Sequence, residues 1–340
     1  MRITKEQLLN IAKDTVKSET FGGNHDLICA YLTGSMLLDE PLIGGATDID
    51  LIFVHAGNPP VRREIRRLND EIHVDLLHFP RAYFEQPRQL RTDAWVGSFI
   101  CQTPLVLYEE NHWFDYTRAA GCANFQQPAN ILERVSVFQQ TARSDWLSLQ
   151  GQAPSFSPSN LHRYAQIIEN AANAITCLTN PPLTDRRFFL NFQPAAMAIQ
   201  MPGLIGGLID LVLPAEPIDP DWDTWLAQWT RTYHALLQQE HAPIKYDAAR
   251  ESYYLSAIKS LQQDENQAAL WLLFKTWTEM MNAMPNGNHA CHQDFSAFCE
   301  ALMLTDEHFA ARMTALDAFL DAEEAAIDGW KQAAGFYSGA

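Results

Sequence analysis

Three aspartates have the types and spacing to do chemistry. Asp48 and Asp50 lie two residues apart within Ile49–His55 and its approach, a run of β-branched and large apolar residues. In a strand, positions two apart point to one face. Two carboxylates crowded at the end of a buried strand repel each other and lose hydration, so they call for a cation between them. A third, Asp75, sits among Val74, Leu76 and Leu77 in Ile72–Phe79. If that strand lies beside the first, three acids converge. Hard oxygen ligands of this kind suit Mg²⁺ completed by substrate phosphates. Upstream, Gly34-Ser35 ends another apolar run. A Gly-Ser turn opening a helix would present backbone N–H groups and a hydroxyl to a phosphate, and glycine allows close approach.

The elements that must hold these residues can be read from periodicity. Leu8, Ile11, Ala12 and Val16 recur at helical spacing, which predicts a helix over 4–18. Leu27–Thr33, Ile49–His55, Ile72–Phe79 and Pro104–Tyr108 read as strands. Val61–Asn69, opened by Pro59-Pro60, reads as a helix with Arg62, Arg63, Arg66 and Arg67 on one solvated face. Beyond Gly121 strand signals fade. Residues 130–149, 160–179, 221–240, 248–262, 264–284 and 305–335 read as helices, the last with Met313, Leu316, Leu320, Ile327 and Trp330 on one stripe. Loops fall at Gly151–Asn160, Asn180–Asp185, Pro214–Pro220 and Pro285–Asn288. The expected architecture is an α/β (α+β) head with a small mixed sheet over 1–120, followed by an all-α helical bundle over 121–340.

Gly34-Ser35, twelve intervening residues, Asp48-Ile49-Asp50, and then Asp75 in a later strand resemble the DNA polymerase beta-like nucleotidyltransferase superfamily. The head followed by a helical tail is similar to the aminoglycoside (kanamycin or streptomycin type) nucleotidyltransferases. The motif resemblance covers residues 27–79 and extends to Pro104–Tyr108 as a closing edge strand. There are departures: Leu38 and Asp39 stand where many members carry a glycine, and Thr47 stands where a serine often precedes the first aspartate. The resemblance implies transfer of a nucleoside monophosphate from an NTP, ATP before others, to an acceptor hydroxyl, with release of pyrophosphate. It implies that Asp48 and Asp50 hold two Mg²⁺ ions and that Asp75 ligates the nucleotidyl-side ion and lowers the pKa of the acceptor hydroxyl, with Asp75 a candidate for the base as well. Gly34 and Ser35 would take the β- and γ-phosphates. Glu109 and Glu110, beyond the edge strand, are candidates for a general base or a contact to substrate amines. The helical domain would help to wall the cleft.

Charge narrows the acceptor. The 340 residues carry 24 basic and 41 acidic side chains, net −17. The first 120 hold 12 and 17 of these, leaving 12 and 24 for the rest. Such a balance disfavours nucleic acid, which is bound through Lys and Arg on phosphates, and suits a cationic or neutral small molecule. An enzyme acting on a protein or RNA end, of the toxin–antitoxin type, and a non-catalytic nucleotide-binding relative remain as alternatives. No apolar run spans a bilayer: Ala196–Leu213 is broken by Gln200, Pro202 and glycines and reads as buried helix and turn. The N-terminal stretch has no signal-peptide core. Six cysteines without a CxxC read as reduced, mostly buried thiols, and the expected location is the cytoplasm.

Weaker features have ordinary explanations. His289, Cys291, His292 and Cys299 match no zinc spacing and read as a loop followed by a helix. The acidic runs Glu216, Asp219, Asp221, Asp223 and Asp321, Glu323, Glu324, Asp328 could clasp a polycation, but read first as helix capping and solvated faces. Lys245 and Lys259 are not distinguished from solvated lysines. The acceptor, the preferred NTP and the oligomeric state are not legible.

Overall fold

The computed structural model describes residues 3–21, 26–151, 156–214, 218–284 and 288–336. In chain order the elements are α1 (Lys5–Phe21), β1 (Leu27–Thr33), β2 (Thr47–His55), β3 (Arg63–Arg67), β4 (Ile72–Pro80), α2 (Pro87–Thr92), α3 (Val96–Cys101), β5 (Leu105–Glu109) and α4 (Trp113–Cys122). No further strand follows among the described residues; besides short 3-10 turns at Asp185–Arg187, Ile244–Tyr246 and Ala248–Arg250, the helices are α5 (Pro128–Gln150), α6 (Pro158–Thr176), α7 (Phe188–Ala198), α8 (Gly203–Val212), α9 (Trp222–Leu237), α10 (Glu251–Asp264), α11 (Asn266–Ala283), α12 (His289–Ala301) and α13 (Asp306–Ala333). An α/β head and a helical remainder are thus both present.

The chain divides into two compact units, Met1–Asn130 with Ile244–Ala257, and Ile131–Pro243 with Ile258–Ala340. The segment 244–257 therefore lies with the head, although it falls in the 121–340 stretch that sequence assigns to the helical domain. Its partners, described below, are more than a hundred residues away along the chain, so no local pattern marks it.

In the first unit five strands form one mixed sheet in the order β3-β4-β2-β1-β5. β2 and β4 run parallel, and the other neighbours are antiparallel. Alternation along the strands separates two apolar faces. Leu8, Ala12 and Val16 of α1 pack on Ala30, Leu32, Ile49, Leu51, Phe53, Val74 and Leu76. Tyr31, Ile52 and Val54 pack on the opposite face with Phe84, Leu90, Val96, Ile100 and Phe114. Asp48 and Asp50 follow the parity of Ile52 and Val54, so they lie on this second face.

The segment 61–69 is the main correction to the elements. It is not a helix: Arg63–Arg67 is an edge strand, with Ile65 opposite Asp75 and Arg63 opposite Leu77. β4 would otherwise leave a row of unpaired backbone groups at the sheet edge, and pairing overrides the weak helical spacing of the arginines. The four arginines consequently do not share a face. Gly34-Ser35 also departs from expectation, since Gly34–Leu37 is a four-residue 3-10 turn rather than the start of an α-helix.

The second unit is helical. α11 is buried almost throughout from Ala268 to Met281 and packs against α6 and α9. Two indoles tie α9 to α11 reciprocally: Trp229 Nε1 donates to Thr276 Oγ1 at 3.0 Å, and Trp277 Nε1 donates to Thr232 Oγ1 at 3.1 Å. Each large ring thus enters the core without leaving its N–H unpaired. Ala196–Leu213 comprises the end of α7, a turn with Gln200 at φ 61° and α8. No helix among the described residues is long and apolar enough to cross a membrane.

The cysteines are not all reduced. Cys101 and Cys122, at the ends of α3 and α4, form a disulfide. The two helices pack together and bring these Cα atoms to 5.3 Å, a proximity that the 21-residue separation does not reveal. Cys29, Cys177, Cys291 and Cys299 are free and buried.

Candidate active site

The triad is assembled by the parallel pairing of β2 and β4. That register sets Asp50 directly opposite Asp75, and Asp48 opposite His73. Ligand oxygens of Asp48, Asp50 and Asp75 lie within 4.8 Å of one another. Asp48 and Asp75 are buried and Asp50 is partly exposed. Burial, and then the charges of Asp48 and Asp75, push the Asp50 carboxyl well above the usual carboxylate range, while Arg250 and Arg63 act in the other direction.

Gly34 closes the site from β1. Thr33 pairs with Asp50, and Gly34 follows with φ 72° in the left-handed region. Its bare α-carbon faces the Asp50 carboxylate. Ser35 Oγ lies 3.3 Å from Thr47 Oγ1, which itself donates to the carbonyl of Pro41 at 3.2 Å. The hydroxyls of Ser35 and Thr47 therefore link the turn after β1 to the start of β2, one residue before Asp48.

Two arginines face the carboxylates. Arg63 donates from Nε to Asp75 Oδ1 at 2.8 Å and from Nη2 to Asp75 Oδ2 at 2.5 Å, a two-bond fork. That bond, more than charge alone, holds the Arg63 guanidinium above its ordinary pKa against the opposing effect of burial. Arg250 places Nη1 3.4 Å from Asp75 Oδ2 and Nη2 3.5 Å from Asp48 Oδ2. Its guanidinium lies over the rings of Tyr253 and Tyr254, at 4.8 and 5.5 Å. The Tyr253 ring in turn meets the edge of His73 on β4. Asp247 caps the turn that carries Arg250 by accepting from Ala249 N at 2.8 Å.

Arg250 is the residue that sequence reading misses. The basic residues singled out from that region are Lys245, which lies over Tyr246 at 5.8 Å, and Lys259, which falls in the second unit. The available signal is the short string Arg250-Glu251-Ser252-Tyr253-Tyr254, a cation followed by two aromatic rings. Arg63 is misread because its strand is taken for a helix.

Glu109 and Glu110 are not brought to the triad. Glu109 pairs with Cys29, four residues along β1 from Thr33, which is ~13 Å by strand rise alone. Glu109 accepts from Phe114 N at 3.0 Å, and Glu110 accepts from the Tyr108 hydroxyl at 2.8 Å. His289 is exposed while Cys291 and Cys299 are buried, so that set does not converge. Asp221 caps α9. Asp321 and Glu324, with Asp317, bind Arg143, and Asp328 binds Lys331, which leaves no open clasp in that run. Glu216 lies outside the described residues.

The donor set fits a divalent metal. All three groups are hard oxygen donors, mutually close, and their charge exceeds that of the two arginines. Arg63 competes for Asp75, because its fork engages both carboxylate oxygens.

No family model and no curated protein matches the chain. Among solved structures it is similar to that of a nucleotidyltransferase-like protein from Exiguobacterium sibiricum 255-15. The likeness is 10% in sequence identity, with a TM-score of 0.34, over 92% of this chain and 90% of that one.

Proposed function

We propose that the chain is a metal-dependent nucleotidyltransferase. The observation that carries this reading is the convergence of Asp48, Asp50 and Asp75 from two parallel strands to within 4.8 Å, beside a glycine in the left-handed region. Asp48, Asp50 and Asp75 would hold two Mg²⁺ ions, which when bound neutralise phosphate charge and lower the pKa of an acceptor hydroxyl. Gly34 and Ser35 would present backbone N–H groups to the β- and γ-phosphates. The acceptor hydroxyl would pass its proton to Asp75 or to water as its oxygen attacks the α-phosphorus of an NTP; the bond to the bridging oxygen would break, and pyrophosphate would leave with that electron pair. The acidic balance of the chain, net −17, favours a small neutral or cationic acceptor over RNA.

The fork from Arg63 to both oxygens of Asp75 favours a second reading, a nucleotide-binding protein without turnover. Incubation with each α-labelled NTP, Mg²⁺ and a panel of aminoglycosides, RNA and protein separates the two. Label transfer from an NTP to one acceptor class, lost in Asp50→Asn, is the expected result. Nucleotide binding without transfer to any acceptor supports the second reading. Absence of both binding and transfer ends the proposal.

A further inference from the structure

The two arginines stand where added cations would go. Three carboxylates face two guanidiniums, so the resting site carries a formal charge of about −1 from these groups. Neither arginine can lose its proton at any ordinary pH. A free divalent ion must therefore compete with resident charges that cannot be titrated away. Two free Mg²⁺ ions would add four positive charges to the cluster. Two Mg²⁺ ions arriving with a triphosphate add almost none, because the triphosphate brings about four negative charges, and its oxygens give the displaced guanidiniums new acceptors.

The contacts are graded in a way that fits such an exchange. Arg63 holds Asp75 through a short two-bond fork, yet it sits on the edge strand with 31% of its side chain exposed. It has room to swing away. Arg250 is buried and its Nε has no hydrogen-bond partner. Its contacts to Asp48 and Asp75, at 3.4–3.5 Å, are long for charge-assisted hydrogen bonds. Stacking on Tyr253 and Tyr254 supports the guanidinium plane while leaving its edge loosely held.

Building on the nucleotidyltransferase reading, we propose that Arg63 and Arg250 are specificity-determining residues that close the triad to free divalent cations. The carboxylates open only to a metal that arrives with a triphosphate, on whose oxygens the arginines then re-seat.

Mn²⁺ is the probe, because binding removes the electron paramagnetic resonance signal of the hydrated ion. Wild type, Arg63→Gln, Arg250→Gln and Arg67→Gln are titrated with Mn²⁺ alone and with Mn²⁺ plus α,β-methylene-ATP. Arg67 is the control: it lies on the same strand but pairs with exposed Asp70. Expected for Arg63→Gln and Arg250→Gln is a gain of about tenfold to a hundredfold in affinity for Mn²⁺ alone, the equivalent of losing one charged hydrogen bond. Their affinity for the Mn²⁺–nucleotide pair should fall, and Arg67→Gln should match wild type. Equal or weaker Mn²⁺ binding in both site variants overturns the proposal, as does an equal gain in Arg67→Gln. Wild type that takes up free Mn²⁺ as tightly as Arg63→Gln overturns it too, while leaving the nucleotidyltransferase reading in place. Wild type that binds neither Mn²⁺ nor Mn²⁺ with the nucleotide removes both. Circular dichroism establishes that each variant is folded. Arg63→Gln, on an exposed edge, carries the comparison alone if the buried Arg250 variant does not fold.

Discussion

A β-carbon placed on Gly34 would stand 1.9 Å from Oδ2 of Asp50 and 2.8 Å from its Cγ. The glycine after β1 and the central aspartate of β2 are thus fitted to each other directly. From sequence, the demand for glycine is explained by close approach of a phosphate. The geometry adds an earlier demand, that the Asp50 carboxylate have space where it stands. Gly34→Ala should cost about 1–2 kcal/mol of stability for a non-glycine residue in the left-handed region. It should also push the Asp50 carboxylate out of the triad, lowering affinity for the Mn²⁺–nucleotide pair at least about tenfold. Urea unfolding and calorimetric titration measure the two effects. A variant that loses stability but keeps full metal–nucleotide affinity would show that Asp50 is free to move without consequence.

Asp50→Asn tests the triad with the opposite sign. Though partly exposed as a residue, Asp50 has a carboxyl that is poorly hydrated and crowded by Asp48 and Asp75, so its charge is unfavourable in the metal-free protein. Removing that charge should leave the apo protein as stable as wild type or more so. Mg²⁺ with NTP should raise the melting temperature of wild type, and the same substitution should abolish that rise, because a ligand stabilises only through the state it binds. Four melting curves, two proteins with and without Mg²⁺–NTP, are sufficient. An apo variant that melts lower yet keeps the full ligand-induced rise would assign Asp50 a structural hydrogen-bonding role instead.

The strands that carry the triad were legible because each is a short, nearly continuous apolar run interrupted by an aspartate. Asp48, Ile49 and Asp50 announce their own geometry through a period of two. What surrounds the triad was not legible, for three separate reasons. β3 has few apolar residues of its own and exists because β4 needs a partner at its edge. Arg250 reaches Asp75 across 175 residues, a separation over which no periodicity carries information. The Cys101–Cys122 bond depends on how α3 and α4 pack, and spacing alone does not show that. Local pattern therefore reveals the carboxylates and conceals the cations that answer them.

The same asymmetry appears in the second unit, where Lys275 gave no signal within its apolar helix. It is buried in α11 and binds Glu169, Asp185 at 2.7 Å and Glu279 at 3.7 Å. Burial alone would lower its pKa. The three acids outweigh that and hold it well above the ordinary lysine value. Lys275→Met should destabilise by about 3 kcal/mol, the lower end for breaking a buried ion pair, since the carboxylate side chains retain 16–23% exposure. Lys331→Met removes an exposed pair with Asp328 and should change stability by less than about 0.5 kcal/mol. Urea unfolding of both variants gives the comparison. Equal losses would mean that the Lys275 network adds nothing beyond a surface pair.

Glu323 of α13 supplies the pH dependence. It is buried and its Oε1 has no hydrogen-bond partner. Burial first, then the charge of Glu324, push its carboxyl up to about 8, with Asp328 adding to the rise and Arg143 and Lys331 opposing it. A carboxyl raised in the folded state binds its proton more tightly there than in the unfolded chain. Its contribution to stability is complete below the ordinary glutamate value near 4.5 and is lost as pH rises through about 8. Glutamine keeps the shape and cannot ionise. The stability of Glu323→Gln relative to wild type should therefore increase with pH from about 5 to 8, by at most about 1.4 kcal/mol per pH unit, the slope for one proton. Above that range the difference should level off. Urea midpoints at pH 5, 6, 7, 8 and 9, compared at matched ionic strength, trace the curve. A difference that stays constant across the series would mean that Glu323 titrates in the folded protein as it does in the unfolded one, and that its burial carries no electrostatic cost.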